Sequence, residues 1–301
     1  MPAQPALHAV RQLDAPRQAW LAAYRQVRAH TQQLAACLSA EDQALQASAD
    51  ASPTKWHLAH TTWFFEALVL MPHAAGYRPV DERWMPLFNS YYESLGPRHP
   101  RPQRGLISRP SLAEVMGYRQ QVDEALQVFI AAANSVTWQA AAGALRLGLH
   151  HEQQHQELLL TDIRLALLQN PLLPAYSPLP TSAALPRQAP LPAGRLASAA
   201  PAPLRWLAWG DGPVAVGHDP ETDGGFAFDN EQARHTVWLA PFALASRPVS
   251  NAEYAEFIAD GGYRQPSLWL SDGWALVQAE GWRDSGSPPG CAVKGPPRPS
   301  R

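Results

Sequence analysis

Two clusters of histidine hold the residues best suited to chemistry. In His150-His151-Glu152-Gln153-Gln154-His155, positions 151 and 155 are four apart. On a helix that spacing puts both imidazoles on one face, one turn apart, with Cβ atoms about 5–6 Å from each other, so both reach a single ion. A pair at this spacing also arises on the polar face of an ordinary amphipathic helix, and alone it does not define a metal site. The second cluster, His57 and His60, is three apart and lies among Trp56, Trp63 and Phe64. Large aromatics make the dry wall that a metal pocket uses, and in a helix bundle ligands converge inward from facing helices. The candidate ligands are His151, His155 and one of His57 and His60.

Residues 151–155 also read H-E-x-x-H, a zinc hydrolase motif in which Glu152 is the general base. Such enzymes take a third ligand from downstream. Here Leu158 and Thr161 occupy the Gly and His places of the extended motif, and neither Glu nor His occurs between Glu157 and His218. The third ligand has to come from upstream, which leaves the hydrolase as the weakest reading. Three imidazoles without thiolate or carboxylate suit zinc with a bound water or non-heme iron with open positions, and the ligand types do not choose between them. Glu66 and Asp162 are placed to accept from imidazole N–H groups, unless they are plain surface charges of their helices.

The elements that position these residues follow from periodicity. Trp20, Tyr24, Val27, Leu34 and Leu38 recur at helical spacing and predict a helix over 20–38. A second helix, carrying His57 and His60, is expected to start at Ser52-Pro53, a cap residue and a first-turn proline, and to end near Met71-Pro72. Residues 76–110 are rich in Pro, Arg and aromatics and read as a long ordered loop. A third helix opens at Ser111 with Glu114 three residues on, a capping box, and a fourth runs over about 137–168, stopped by Asn170-Pro171. Four helices with one long connection predict a four-helix bundle over 1–170.

The composition then changes. Residues 171–203 are rich in Pro, Ala, Leu and Ser with hardly any charge and read as an extended linker. Over 204–285, short aromatic and β-branched runs alternate with Gly and Pro, which predicts an irregular β-containing domain with one short helix over 250–259. Residues 286–301 lack periodicity and are expected to be disordered. A net charge of −2 leaves no basic surplus to neutralise phosphates, which argues against nucleic acid. Cys37 and Cys291 are too few for a cysteine zinc site or a disulfide framework. The chain opens without an apolar signal region, and no apolar run approaches the roughly 18 residues of a membrane span. A soluble, cytoplasmic protein is expected.

Two stretches bring a family into view. Ser52-Pro53-Thr54-Lys55-Trp56-His57-Leu58-Ala59-His60-Thr61-Thr62-Trp63-Phe64-Phe65-Glu66 and His151-Glu152-Gln153-Gln154-His155-Gln156-Glu157-Leu158-Leu159 resemble the ergothioneine-biosynthesis sulfoxide synthases. Asp229-Asn230-Glu231, His235-Thr236-Val237, Arg247-Pro248-Val249-Ser250-Asn251-Ala252-Glu253-Tyr254 and Gly261-Gly262-Tyr263 are similar to the opening of that family's second domain. The resemblance covers most of 10–283. It implies a DinB-like four-helix bundle followed by an α+β domain of the formylglycine-generating, sulfatase-modifying-factor type (C-type-lectin-like), here incomplete.

The resemblance implies Fe2+ on His60, His151 and His155, with His57 and His150 structural or outer-sphere. The implied activity is that of an oxidoreductase. It joins the thiol of cysteine or γ-glutamylcysteine to C2 of hercynine (Nα-trimethylhistidine), consuming O2 and giving a sulfoxide. Gln154 matches a residue that helps to hold hercynine. Arg101 and Arg104, in a loop shared with Arg98, match an Arg-x-x-Arg pair that binds γ-glutamylcysteine in some members, while others take cysteine. Two further readings stay open: a metal-binding DinB-like bundle without turnover, and the sister family that joins sulfur to C5 of histidine on the way to ovothiol. The run 151–162 is more similar to the ergothioneine branch. The matching pattern stops near Trp282-Arg283 and the family's catalytic Tyr falls beyond it, so no residue takes that role and impaired turnover is expected.

Overall fold

The computed structural model describes residues 15–177 and 203–282, which fall into two compact units divided at Leu179-Pro180. Most of the expected linker, 178–202, and the whole of the expected tail, 286–301, lie outside the described residues.

The first unit is a bundle of α1 (Ala15–Ala35), α2 (Thr54–Phe65), α3 (Leu112–Ala132) and α4 (Ser135–Gln169). Helix α1 buries Leu21, Tyr24 and Val27, the predicted stripe. It ends three residues before Leu38, which is buried beyond the helix against Leu159, Ile163 and Leu167. Every residue of α2 is buried, histidines and threonines included. A helix sequestered on all sides is a central one, and α2 packs on both α3 and α4.

The start and the end of α2 both differ from expectation. Pro53, not Ser52, is the N-cap residue. Ser52 is spent elsewhere: its N–H donates to Asp162 and its Oγ accepts from Arg104. At the far end the helix passes Met71-Pro72 through a π-helical turn, Glu66–Leu70, and closes with Met71–His73. The Met71 N–H donates back to the Glu66 carbonyl, five residues away. Pro72 thereby sits in the first turn of a fresh segment, where a missing N–H costs nothing.

Residues 76–110 form an ordered chain of short helical turns, Glu82–Trp84, Met85–Phe88, Glu93–Leu95 and Arg101–Leu106. They bury Phe88, Asn89, Ser90 and Arg104. The Ser111–Glu114 capping box is present at α3, and Asn134 caps α4 by accepting from the Thr137 N–H. One glycine lets α4 come close to α2. A Cβ on Gly148 would lie 2.4 Å from the ring of Phe65 and 3.0 Å from that of Phe64.

The second unit has two antiparallel pairs. β1 (Trp206–Trp209) pairs with β4 (Phe242–Ala245), and β2 (Gly212–Val216) pairs with β3 (His235–Leu239). The predicted helix is α5 (Asn251–Ala259), with a Ser250–Glu253 capping box to which Arg247 adds a bidentate ion pair. Gly261 follows it at φ +79°, the left-handed stop that favours glycine. A second helix, α6 (Ser271–Ala279), was not predicted; only Val277 of it is buried, so its apolar period is weak. Fold class is thus a helical bundle followed by a mixed α and β unit.

Candidate metal centre

Helix α2 presents His60 and helix α4 presents His151 and His155, and one ring nitrogen from each lies within 4.8 Å of the other two. His60 Nε2 and His151 Nε2 are 3.3 Å apart. Two nitrogens each about 2.1 Å from one ion are separated by about this much. Burial pushes His60 and His155 well below the ordinary imidazole range, and the neighbouring rings add to it. His151 is lowered to about 4, again by burial first. All three rings are neutral at pH 7 and offer lone pairs, the state that a metal requires.

The surroundings fix the rings. His60 donates from Nδ1 to the Phe88 carbonyl at 2.6 Å, which leaves Nε2 as its free lone pair. His155 Nδ1 lies 2.8 Å from Nδ1 of His57, whose Nε2 lies 3.1 Å from Asp162 Oδ2. Nδ1 of His151 is buried and has no hydrogen-bond partner among the described residues. Three convergent neutral imidazoles, one of them otherwise unsatisfied, fit a bound divalent ion.

An aromatic wall backs the site. The Arg104 guanidinium lies 3.4 Å over Trp56, Trp56 stacks on His60 at 4.4 Å and 12°, and His60 stacks on Trp63 at 5.7 Å and 15°. Arg104 is buried, donates to Ser52 Oγ and Ser90 Oγ, and is lowered to about 10 by burial and by Arg101 beside it. Arg101 is half-buried over Tyr91. Among the described residues neither has a carboxylate partner within ion-pair distance. Arg98, by contrast, donates to the Ser90 carbonyl and pairs with Glu93. Gln154 is exposed on α4, one residue before His155.

Three further residues singled out in the sequence stand apart from the ligand set. Glu152 is fully buried and ion-paired to Arg28 at 2.8 Å and Arg119 at 3.0 Å. Burial alone would raise its carboxyl, but the two guanidiniums outweigh it and hold it down at about 2. A carboxylate so committed is no general base, which removes the hydrolase reading. Glu66 accepts from the Tyr77 and Tyr118 hydroxyls and the Val80 N–H, not from an imidazole. His150 lines a separate cleft of about 310 Å³ with Ala23, Gln26 and His30 of α1. Sequence reasoning also missed the Phe88 carbonyl, because a backbone acceptor has no residue-type signal.

Comparison with known proteins agrees with this architecture. Residues 9–159 match the DinB superfamily, and residues 207–297 match the sulfatase-modifying factor enzyme 1-like domain. The second match runs to residue 297, beyond the stop expected near Trp282-Arg283. The chain is 35% identical over 147 residues to the hercynine oxygenase of Mycolicibacterium smegmatis, covering 47% of this chain and 30% of the relative. It is 30% identical over 244 residues to those of Mycolicibacterium thermoresistibile and Mycobacterium tuberculosis, covering 78% of this chain and 48% and 51% of the relatives. The chain thus spans about half the length, or less, of these relatives. It belongs to the DinB superfamily, joins that bundle to a sulfatase-modifying-factor-like domain, and is a homologue of the hercynine oxygenases.

Proposed function

We propose that the chain is an iron(II)-dependent oxidoreductase of ergothioneine biosynthesis that joins the thiol of cysteine or γ-glutamylcysteine to C2 of hercynine, with O2 as oxidant and a sulfoxide as product. The observation that carries this reading is the donor set: three neutral imidazoles and, among the described residues, no anionic ligand and two guanidiniums beside them without a carboxylate partner. His60, His151 and His155 would hold the ion. Bound iron(II) supplies the redox chemistry and, as a dication, favours the thiolate of the sulfur donor. Arg101 and Arg104 supply fixed positive charge for a substrate carboxylate. Trp56 and Trp63, both buried and stacked on the His60 ring, keep water from its plane. Gln154, exposed at the ligand helix, is the residue assigned to hercynine. Among the described residues no helix is long and apolar enough to cross a membrane, which is compatible with small soluble substrates.

The test is anaerobic loading with iron(II) or zinc(II), followed by mass-spectrometric detection of the sulfoxide with hercynine, O2 and each thiol donor in turn. Stoichiometric iron and a sulfoxide formed only with iron support the assignment. Stoichiometric metal without any product would favour a metal-binding bundle without turnover.

A further inference from the structure

Two hydrogen bonds behind the metal site form a chain from a carboxylate to a ligand. Asp162 stands seven residues after His155, two turns along the same face of α4. Its Oδ2 is anchored by the Ser52 N–H at 2.8 Å and faces His57 Nε2 at 3.1 Å. A carboxylate oxygen only accepts, so Nε2 of His57 carries the proton. A neutral imidazole has one N–H, so Nδ1 of His57 is an acceptor, and the nitrogen 2.8 Å away, His155 Nδ1, has to donate. The single proton of His155 is thereby placed on Nδ1, and its Nε2 is left bare.

We propose that Asp162 and His57 act as positioning residues, a two-step relay that fixes the tautomer of His155 and aims its Nε2 lone pair into the metal site. The inference rests on the reading of His60, His151 and His155 as one metal site. It explains the His57-x-x-His60 spacing: one imidazole of α2 serves as ligand and the other orients a ligand on the facing helix. His57 and His155 are both buried, and burial of an imidazole favours the neutral form that the relay requires. His60 is set independently by the Phe88 carbonyl, and His151 has no such acceptor among the described residues. The relay therefore supplies the second of two preset ligands.

The test uses the full chain labelled with ¹⁵N. Long-range ¹H–¹⁵N correlation of the metal-free protein reads each imidazole tautomer, and anaerobic competition with a chelator reads iron(II) affinity. The expected wild-type spectrum has His57 protonated at Nε2 and His155 at Nδ1. His57→Phe keeps a ring but removes the acceptor, and iron(II) affinity should fall roughly 10–100-fold, the usual loss when an outer partner of a metal ligand is removed. His57→Asn places a carbonyl oxygen near the lost Nδ1 and should recover most of that affinity, which a purely packing role would not do. His155 protonated at Nε2 in the wild type overturns the proposal even if no variant folds. So does unchanged affinity in His57→Phe, or an Asn variant no better than Phe. Failure of the wild type to bind iron(II) overturns the metal reading instead, while the tautomer spectrum judges the relay on its own.

Discussion

Glu152 and Arg119 face each other at 3.0 Å with both side chains fully buried, one on α4 and the other on α3. Arg28 of α1 completes the pair from the other side and also bonds Asp123 and the Thr62 hydroxyl. One carboxylate thus ties two helices, α1 and α3, to the back of the ligand-bearing segment of α4, three residues from His155. Removing one partner of a buried ion pair strands the other charge, which typically costs about 3–5 kcal/mol. Glu152→Gln should therefore lower the midpoint of urea unfolding markedly. An unchanged midpoint would show that the two arginines are satisfied without it.

The same carboxylate sets a pH dependence. Its folded-state value, about 2, lies below the ordinary value of 4.5. A depressed carboxyl contributes stability that is fully present above its unfolded value and is lost as pH falls through the folded one. Wild-type stability should decline between about pH 4.5 and about pH 2, and Glu152→Gln should decline less steeply across that window. Parallel acid limbs in the two proteins, followed by circular dichroism, would contradict this.

Replacing a ligand is a different perturbation. His60→Ala, His151→Ala and His155→Ala should each abolish stoichiometric iron(II) binding, since two imidazoles remain. His150→Ala should leave affinity unchanged, because His150 lines the cleft toward α1. Equal iron retention in His60→Ala and wild type would sink the assignment.

Helix periodicity, capping boxes and histidine spacing made the bundle and the metal-ligand candidates legible before any coordinates. The Ser111–Glu114 and Ser250–Glu253 boxes are local, two-residue codes, and both form. What escaped was tertiary. Whether Glu152 faces the ion or the core depends on Arg28 and Arg119, which come from helices more than thirty residues away in sequence. The Arg-x-x-Arg spacing singles out Arg104, but only folding places it on Trp56. The π turn at Glu66–Leu70 has no pattern of its own. The second helix of the second unit buries one residue, too few to leave a stripe in the sequence.

The guanidiniums allow a functional split. If Arg101 holds a substrate carboxylate, Arg101→Ala should raise the KM for the thiol donor and leave iron(II) stoichiometry intact. Loss of a hydrogen bond to a charged group, about 1.5–3 kcal/mol, corresponds to roughly 10–100-fold. Arg104→Ala should do more, since it also strips the stacked cation from Trp56. A thiol-donor KM indifferent to Arg101→Ala would place the carboxylate elsewhere.

Gly148 sets how closely the two ligand helices approach, and its substitution tests whether that approach matters to the metal. It lies on α4 three residues before His151, against Phe64 and Phe65 of α2, whose helix carries His60. An added methyl group would stand 2.4 Å from Phe65 Cε1, a separation that real side chains do not tolerate. Phe64 and Phe65 are wholly buried, so neither ring has free volume to move into. Overpacking of this kind typically costs about 1–3 kcal/mol. Any relief has to come from separating the helices, which pulls His60 away from His151 and His155. Gly148→Ala should therefore lower thermal stability and weaken iron(II) binding together. The control is Gly143→Ala, five residues earlier on the same helix, where an added Cβ meets nothing within 4 Å. There the gain in helix propensity, up to about 1 kcal/mol, should appear without loss of affinity. If Gly148→Ala is destabilised but binds iron(II) as tightly as wild type, the site tolerates helix separation and the close approach serves packing alone.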